Sequence, residues 1–165
     1  MRSAPRTPSV RVRRATLDDI AILAHHRVGM YRDMREVSVA NEPQLAEAAA
    51  AYFRSAIPSG EYVAWLAVTT GAREEVISGA GLLVRPMIPR PAPNGNIEVV
   101  EGTVVNVYTE PAWRRKGLAA LVIRHVLEYA RASQINRVSL HASSEGRPLY
   151  EALGFSPTNE MRLAR

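Results

Sequence analysis

The chain has no cysteine in its 165 residues, which excludes a disulfide framework, a thiolate metal site and a cysteine nucleophile. No apolar run approaches the roughly 20 residues needed to span a bilayer. Residues 1–9 carry arginine and proline but no apolar signal core. A cytoplasmic protein with a disordered start over residues 1–9, and without a membrane partner, is therefore expected. Lysine is nearly absent as well: Lys116 is the only one among 21 Lys plus Arg, which against 16 Asp plus Glu leave a net charge of +5. Arg11, Arg13, Arg14, Arg27, Arg32 and Arg35 are spread out, with neither a dense basic run nor interleaved aromatics. Solvated basic faces account for them, and a nucleic-acid partner is not expected. The length suits one domain over residues 10–165, enough to bury roughly two thirds of the unfolded surface around one core.

What is present is an ordered set of periodic segments. Val10 to Ala15 alternates as a strand, and Thr16 with Asp19 three residues on forms a capping-box pattern that opens a helix from Leu17 to about Arg35. Glu42 to Ser55 is alanine-rich and helical, ending before Pro58 and Gly60. Tyr62 to Thr69 and Val76 to Val84 pair as a hairpin turned at Gly71, and Pro86 to Pro93 is expected to loop over the surface as a rim. Thr103 to Thr109 is rich in β-branched residues and predicts a central strand. The helix after it places Leu118, Leu121, Val122, Val126 and Tyr129 on one apolar face. Arg137 to His141 is a further strand, Pro148 opens a short helix that ends at Gly154, and Phe155 onward returns as strand through Met161 to Leu163. The predicted order is β-α-α-β-β-β-α-β-α-β(β), an α/β (α+β) mixed sheet with helices on both faces.

The junction of the central strand with its helix, Arg114-Arg115-Lys116-Gly117-Leu118-Ala119, suits a phosphate. Gly117 has no Cβ, so the turn lets main chain approach a ligand, and the small Ala119 continues that approach into the helix. The first N–H groups of a helix have no partner within it and carry partial positive charge.

Taken with Leu149-Tyr150-Glu151-Ala152-Leu153-Gly154-Phe155 further on, this strand, loop and helix resemble the GNAT superfamily of N-acetyltransferases, over nearly everything after Val10. The resemblance implies a single-domain, mostly antiparallel sheet splayed at its centre. It implies acetyl-CoA as co-substrate, with acetyl transfer to a primary amine in a ternary complex, and the compact size favours a small-molecule acceptor. A protein or aminoacyl-tRNA acceptor, or a non-catalytic CoA-binding module, are the alternatives, and a homodimer is compatible with the family. Carried over by position, Arg114, Arg115, Lys116, Gly117, Leu118, Ala119 and Ala120 form the acyl-CoA loop. Val107, Tyr108 and Thr109 form the strand segment that pairs with the pantetheine arm near a bulge. Tyr150 falls at the general-acid position. With a phenol near 10 and a thiol near 8.5, full proton transfer is uphill by about 1.5 pH units, so partial donation to the leaving sulfur is the expected role. Ser143 stands where many relatives carry an asparagine, and Ser144 is its competitor for that cofactor contact.

The general base has several candidates. Glu101 and Glu98 precede the central strand, and His141 ends the next one. Tyr31, at the end of the first helix, is a substrate-side candidate, as is Asn106, which by alternation points away from Val105 and Val107. His25 and His26 lack a carboxylate or cysteine partner at a ligand spacing, so no metal site is expected. Ser143 and Ser144 lack a nucleophile elbow, which argues against a hydrolase. Met30, Tyr31 and Met34 fill core or line an apolar acceptor rim.

Overall fold

The computed structural model describes residues 9–71 and 73–163. The N-terminal segment expected to be disordered lies outside them up to residue 8, and the Ser9 carbonyl accepts a hydrogen bond from the Thr70 amide at 2.8 Å. Strand β1 (Val10–Arg14) leads through one tight turn of helix into α1 (Ile20–Asp33). The predicted capping box is in place. Thr16 Oγ1 accepts from the Asp18 amide, while Asp19 Oδ2 accepts from the Thr16 amide at 2.8 Å. Arg13 grips both Asp19 carboxylate oxygens at 2.8 Å and holds that carboxyl below its ordinary range.

Helix α2 (Glu42–Ser59) runs one turn further than its sequence suggests. Pro58 lies within its last turn, and the chain turns out only at Gly60, whose φ of 79° is left-handed. Strand β2 (Tyr62–Thr69) pairs antiparallel with β3 (Val76–Pro91), and β3 with β4 (Ile97–Thr109). Here the expected surface loop from Pro86 to Pro93 gives way to strand as far as Pro91. Pairing with β2 stops at Leu83, so beyond it β3 is an edge strand, where prolines without N–H leave no ladder bond unmade. The result is a long β3–β4 arm that carries the exposed Ile88, Ile97 and Val99.

Helix α3 (Leu118–Ala132) follows, then β5 (Arg137–Leu140), parallel to β4, and α4 (Arg147–Ala152). The sheet order is β1-β2-β3-β4-β5. Residues 155–163 form no strand, against expectation. Pro157 cannot donate to a ladder, and Met161 and Leu163 are 94% and 89% exposed, so neither supplies a buried face.

Two cores lie on opposite faces, and strand alternation divides them. Tyr62, Ala64, Leu66 and Val68 of β2 meet α1 and α2 through Leu23, Ala24, Phe53 and Ala56. Val63 and Ala67 point the other way, joining Ile77, Leu82 and Val104 against α3. On α3 the fully buried stripe is Val122, Ile123 and Val126, flanked by Leu118 and Ala130, while Leu121 and Tyr129 are half-buried at its margin.

Candidate active site

The sheet is interrupted where β3 passes the end of β4. Gly79 pairs with Tyr108 and Gly81 with Val105, so one residue of β3 faces two of β4, Asn106 and Val107. That is a β-bulge. Asn106 sits in it with a left-handed φ of 56°, which asparagine tolerates better than most residues. The extra residue changes which way the strand faces. Val105 and Asn106 both point to the α1–α2 side, and Val107 points to the α3 side. Alternation predicts that Asn106 points away from both neighbours, and the bulge removes that relation for Val105.

Over the bulge lies a cavity of about 330 Å³. It is lined by the buried Tyr62, Asn106 and Phe53 with Val105, Leu45 and Leu83, and by Arg27, Tyr52 and Arg85, the last two exposed. Asn106 Nδ2 donates to the Leu23 carbonyl at 3.1 Å. Its Oδ1 and the Tyr62 hydroxyl are buried without a hydrogen bond. Burial pushes the Tyr62 phenol well above its usual range, with the Asn106 side chain opposing this in part. Tyr62 was visible in the sequence only as a strand residue, and Arg27 only as one of several scattered cations.

On the other side of the bulge β4 has an open edge. Its parallel pairing with β5 ends at Val104 and Leu140, and Val105 to Thr109 run on without a strand partner there. This is the splay expected at the sheet centre. The chain then turns through Pro111–Trp113 into the loop before α3. Arg115 and Gly117 both take left-handed φ, 60° and 77°. The Arg114 amide donates to the Pro111 carbonyl at 3.3 Å, and the next main-chain donor to find an acceptor is that of Leu121, which bonds the Gly117 carbonyl at 3.1 Å. Among the described residues, the N–H groups of Arg115 to Ala120 have no partner, and a Cβ on Gly117 would meet nothing within 4 Å. Unpaired donors around open space suit an anion with several oxygens.

The three cations of this loop differ. The Arg114 guanidinium folds back, with Nε donating to the Thr109 carbonyl at 3.0 Å and Nη2 to Asp33 at 2.6 Å, and it covers the Tyr108 ring. Lys116 donates to the Ala112 carbonyl over the face of Trp113. Arg115 is exposed and has no ion pair among the described residues.

Tyr150 packs on the α3 side of the sheet in the same cluster as Val107 and Leu140, edge-on to Phe155. Burial raises its phenol above the ordinary range, so it stays protonated at neutral pH. Ser143 Oγ accepts from the Gly146 amide at 3.1 Å and its carbonyl accepts from Arg147 at 3.0 Å, tying it to the start of α4. Ser144 is exposed.

The structure does not bring the proposed bases to the cavity. Glu101 sits at the far end of the β4–β5 ladder, paired with Arg137 at 3.2 Å. Glu98 lies on the β3–β4 arm within 4.0 Å of Arg90. His141 is exposed, with Nε2 3.2 Å from Glu160. Tyr31 lies outside the lining but accepts a hydrogen bond from Arg27 at 3.0 Å. Among the described residues no carboxylate or imidazole lines the cavity. A larger, open groove of about 780 Å³ near the start of α1 is lined by Asp18, Asp19, Glu74, Glu75 and Glu110 with Arg13, a charge opposite to what an anion needs. Among the described residues no three His, Asp or Glu groups converge as metal ligands, and no helix is long and apolar enough to cross a membrane.

The bulge opens the mixed sheet, with a cavity on one face of it and unpaired amides at the start of the next helix. The chain belongs to the acetyltransferase (GNAT) family, whose model matches residues 29–155. It is 30% identical over 89 residues to a glucosamine 6-phosphate N-acetyltransferase of Trypanosoma brucei brucei, a match covering 53% of this chain and 56% of that protein. The chain thus spans little more than half the length of that relative. Its fold is similar to that of a GCN5-related N-acetyltransferase from Ralstonia eutropha, with a TM-score of 0.81 at 24% identity over 95% of this chain and 99% of the other. It is also similar to a Clostridium acetobutylicum protein, described as a predicted acetyltransferase and solved with acetyl-CoA. There the TM-score is 0.77 at 25% identity, over 95% of this chain and 96% of the other.

Proposed function

We propose that this protein is an acetyl-CoA-dependent N-acetyltransferase that acts on a primary amine of a small molecule, by direct attack within a ternary complex. The observation that carries this reading is the run of partnerless amides from Arg115 to Ala120, placed directly after the open edge of β4. In this reading those amides hold the diphosphate of the carrier, helped by the uncommitted charge of Arg115. The main chain of Val107, Tyr108 and Thr109 pairs with the pantetheine arm along the edge that β5 leaves free. Arg114 works through Tyr108 and Asp33, holding the loop in shape instead of meeting the phosphates.

The acceptor amine enters from the α1–α2 side and is positioned by Asn106 and Tyr62. Its nitrogen bonds to the acetyl carbon as the carbon–sulfur bond breaks, and Tyr150 donates a hydrogen bond or proton to the departing thiolate. Because no carboxylate or imidazole lines the cavity, the amine gives its proton to water. Glu101 and His141, each engaged elsewhere, are not assigned that step. Ser143 keeps its hydroxyl proton for the carrier while its oxygen caps α4.

The test is release of CoA thiol from acetyl-CoA across a panel of small amines, a basic peptide and a charged tRNA. Release driven by one class of small amine is the expected result. Tight CoA binding without release by any acceptor would show a binding module instead.

A further inference from the structure

Two guanidinium groups line the cavity, and none of the described residues lining it is acidic. Arg27 comes from α1, half-buried. Its Nη2 donates to the Tyr31 hydroxyl at 3.0 Å, and its guanidinium lies 4.8 Å from the centre of that ring. Both contacts fix the group in place without cancelling its charge, and among the described residues it has no carboxylate at ion-pair distance. Arg85 comes from β3. Its Nε stands 3.8 Å from Glu61, near the limit of an ion pair, and Glu61 also accepts from the Tyr52 hydroxyl at 3.0 Å. In the same cavity, Tyr62 and Asn106 are 1% and 2% exposed, and each offers a polar atom with no hydrogen bond among the described residues.

The cavity therefore combines neutral hydrogen-bonding atoms at the bulge with positive charge: Arg27 has no carboxylate partner among the described residues, and Arg85 is only loosely held by Glu61. A guanidinium matches the oxygens of a phosphate or carboxylate and repels an ammonium. About 330 Å³ is at the small end of ligand sites. We infer that the acceptor is a small primary amine that also carries a phosphate or carboxylate, the anion bound by Arg27 and Arg85 and the amine directed to Tyr62 and Asn106. The amine end of this assignment rests on the transferase reading above, and the anion end on the two arginines alone. The same charges disfavour a polycationic acceptor such as a basic peptide.

The experiment is a calorimetric titration of the CoA-loaded protein with matched pairs: glucosamine 6-phosphate against glucosamine, and a free amino acid against its amide. The phosphate and carboxylate arms distinguish the two anions. In at least one pair the anionic member should bind about 10-fold to 100-fold more tightly, the range given by charge-assisted hydrogen bonds. Arg27→Gln and the exposed Arg85→Gln should each erode that preference, Arg27→Lys should retain part of it, and Arg124→Gln, exposed on α3 away from the cavity, should keep it whole. Equal binding within both pairs, no binding of any member, or a preference untouched by both Gln variants overturns the assignment. Thiol release from the same mixtures separates the two readings. Preferential binding without release contradicts the transferase and supports the anion site, whereas equal turnover of both members of each pair contradicts the anion site alone.

Discussion

The hydroxyl of Tyr62 lies over Gly81 so closely that a Cβ there would come within 2.3 Å of it. The glycine on β3 thus creates the space in which a phenol from β2 reaches the bulge of β4. Gly81→Ala should push the ring off this position. Overpacking of this kind costs about 1–3 kcal/mol, so the denaturation midpoint should fall and the acceptor KM should rise while CoA affinity holds. A variant with wild-type KM would show that the Tyr62 hydroxyl does not face the acceptor.

Tyr150 presents a proton donor whose burial keeps it protonated across the working range. Tyr150→Phe keeps the ring that packs near Phe155 and removes only the donor. Turnover should fall roughly 100-fold, the lower end of what a positioned acid contributes, with CoA affinity little changed. Because the phenol is raised above its ordinary value, wild-type kcat should not decline on the alkaline side until above pH 10. An earlier decline, or full activity in the Phe variant, would remove Tyr150 from the chemistry.

Gly117 has a left-handed φ of 77° and open space around the missing Cβ. Gly117→Val should cost about 1–2 kcal/mol in backbone strain, leaving the fold intact, and should weaken CoA binding at least 10-fold because the new side chain would fill the space proposed for the phosphate oxygens. Denaturation and CoA titration together measure both effects. Unchanged CoA affinity would count against the loop.

His26 is fully buried with neither ring nitrogen hydrogen-bonded, and Glu110, 3.7 Å from it, is already engaged by His25 at 2.8 Å. Burial foremost, and then the neighbouring His25, bring its imidazole down to about 4. Between about pH 6.5 and about 4 the unfolded chain binds a proton there that the folded chain does not. Stability is therefore full above about 6.5, falls as pH is lowered toward 4, and changes no further from this group below that, by on the order of 3 kcal/mol in all. Urea denaturation as a function of pH should show this slope, and His26→Leu should flatten it. An unaltered slope in the variant would place its origin elsewhere.

The β4–α3 unit and its loop were legible from sequence because each signal there is local. The β-branched run from Val104, the glycine at 117 and the i, i+3, i+4 face of α3 lie within one stretch of chain. Three features were not legible, each for a tertiary reason. Pro86 to Pro91 reads as a loop because proline breaks ladders, yet β3 is unpaired on one side there and the missing N–H costs nothing. Met161 and Leu163 alternate like a strand but find no face to cover. The cavity is assembled from Arg27, Tyr62, Arg85 and Asn106, on four separate elements, and Asn106 joins it only because a one-residue bulge turns it to the side of Val105. No spacing in the sequence encodes that meeting.

The most direct measurement is a crystal structure of the complex with CoA. Diphosphate oxygens should lie within hydrogen-bond distance of the amides between Arg115 and Ala120, the arm should run along β4 from Val107 to Thr109, and the sulfur should rest beside the Tyr150 hydroxyl. A carrier bound instead in the acidic groove by Asp18 and Glu74, or a sulfur out of reach of Tyr150, would contradict the account.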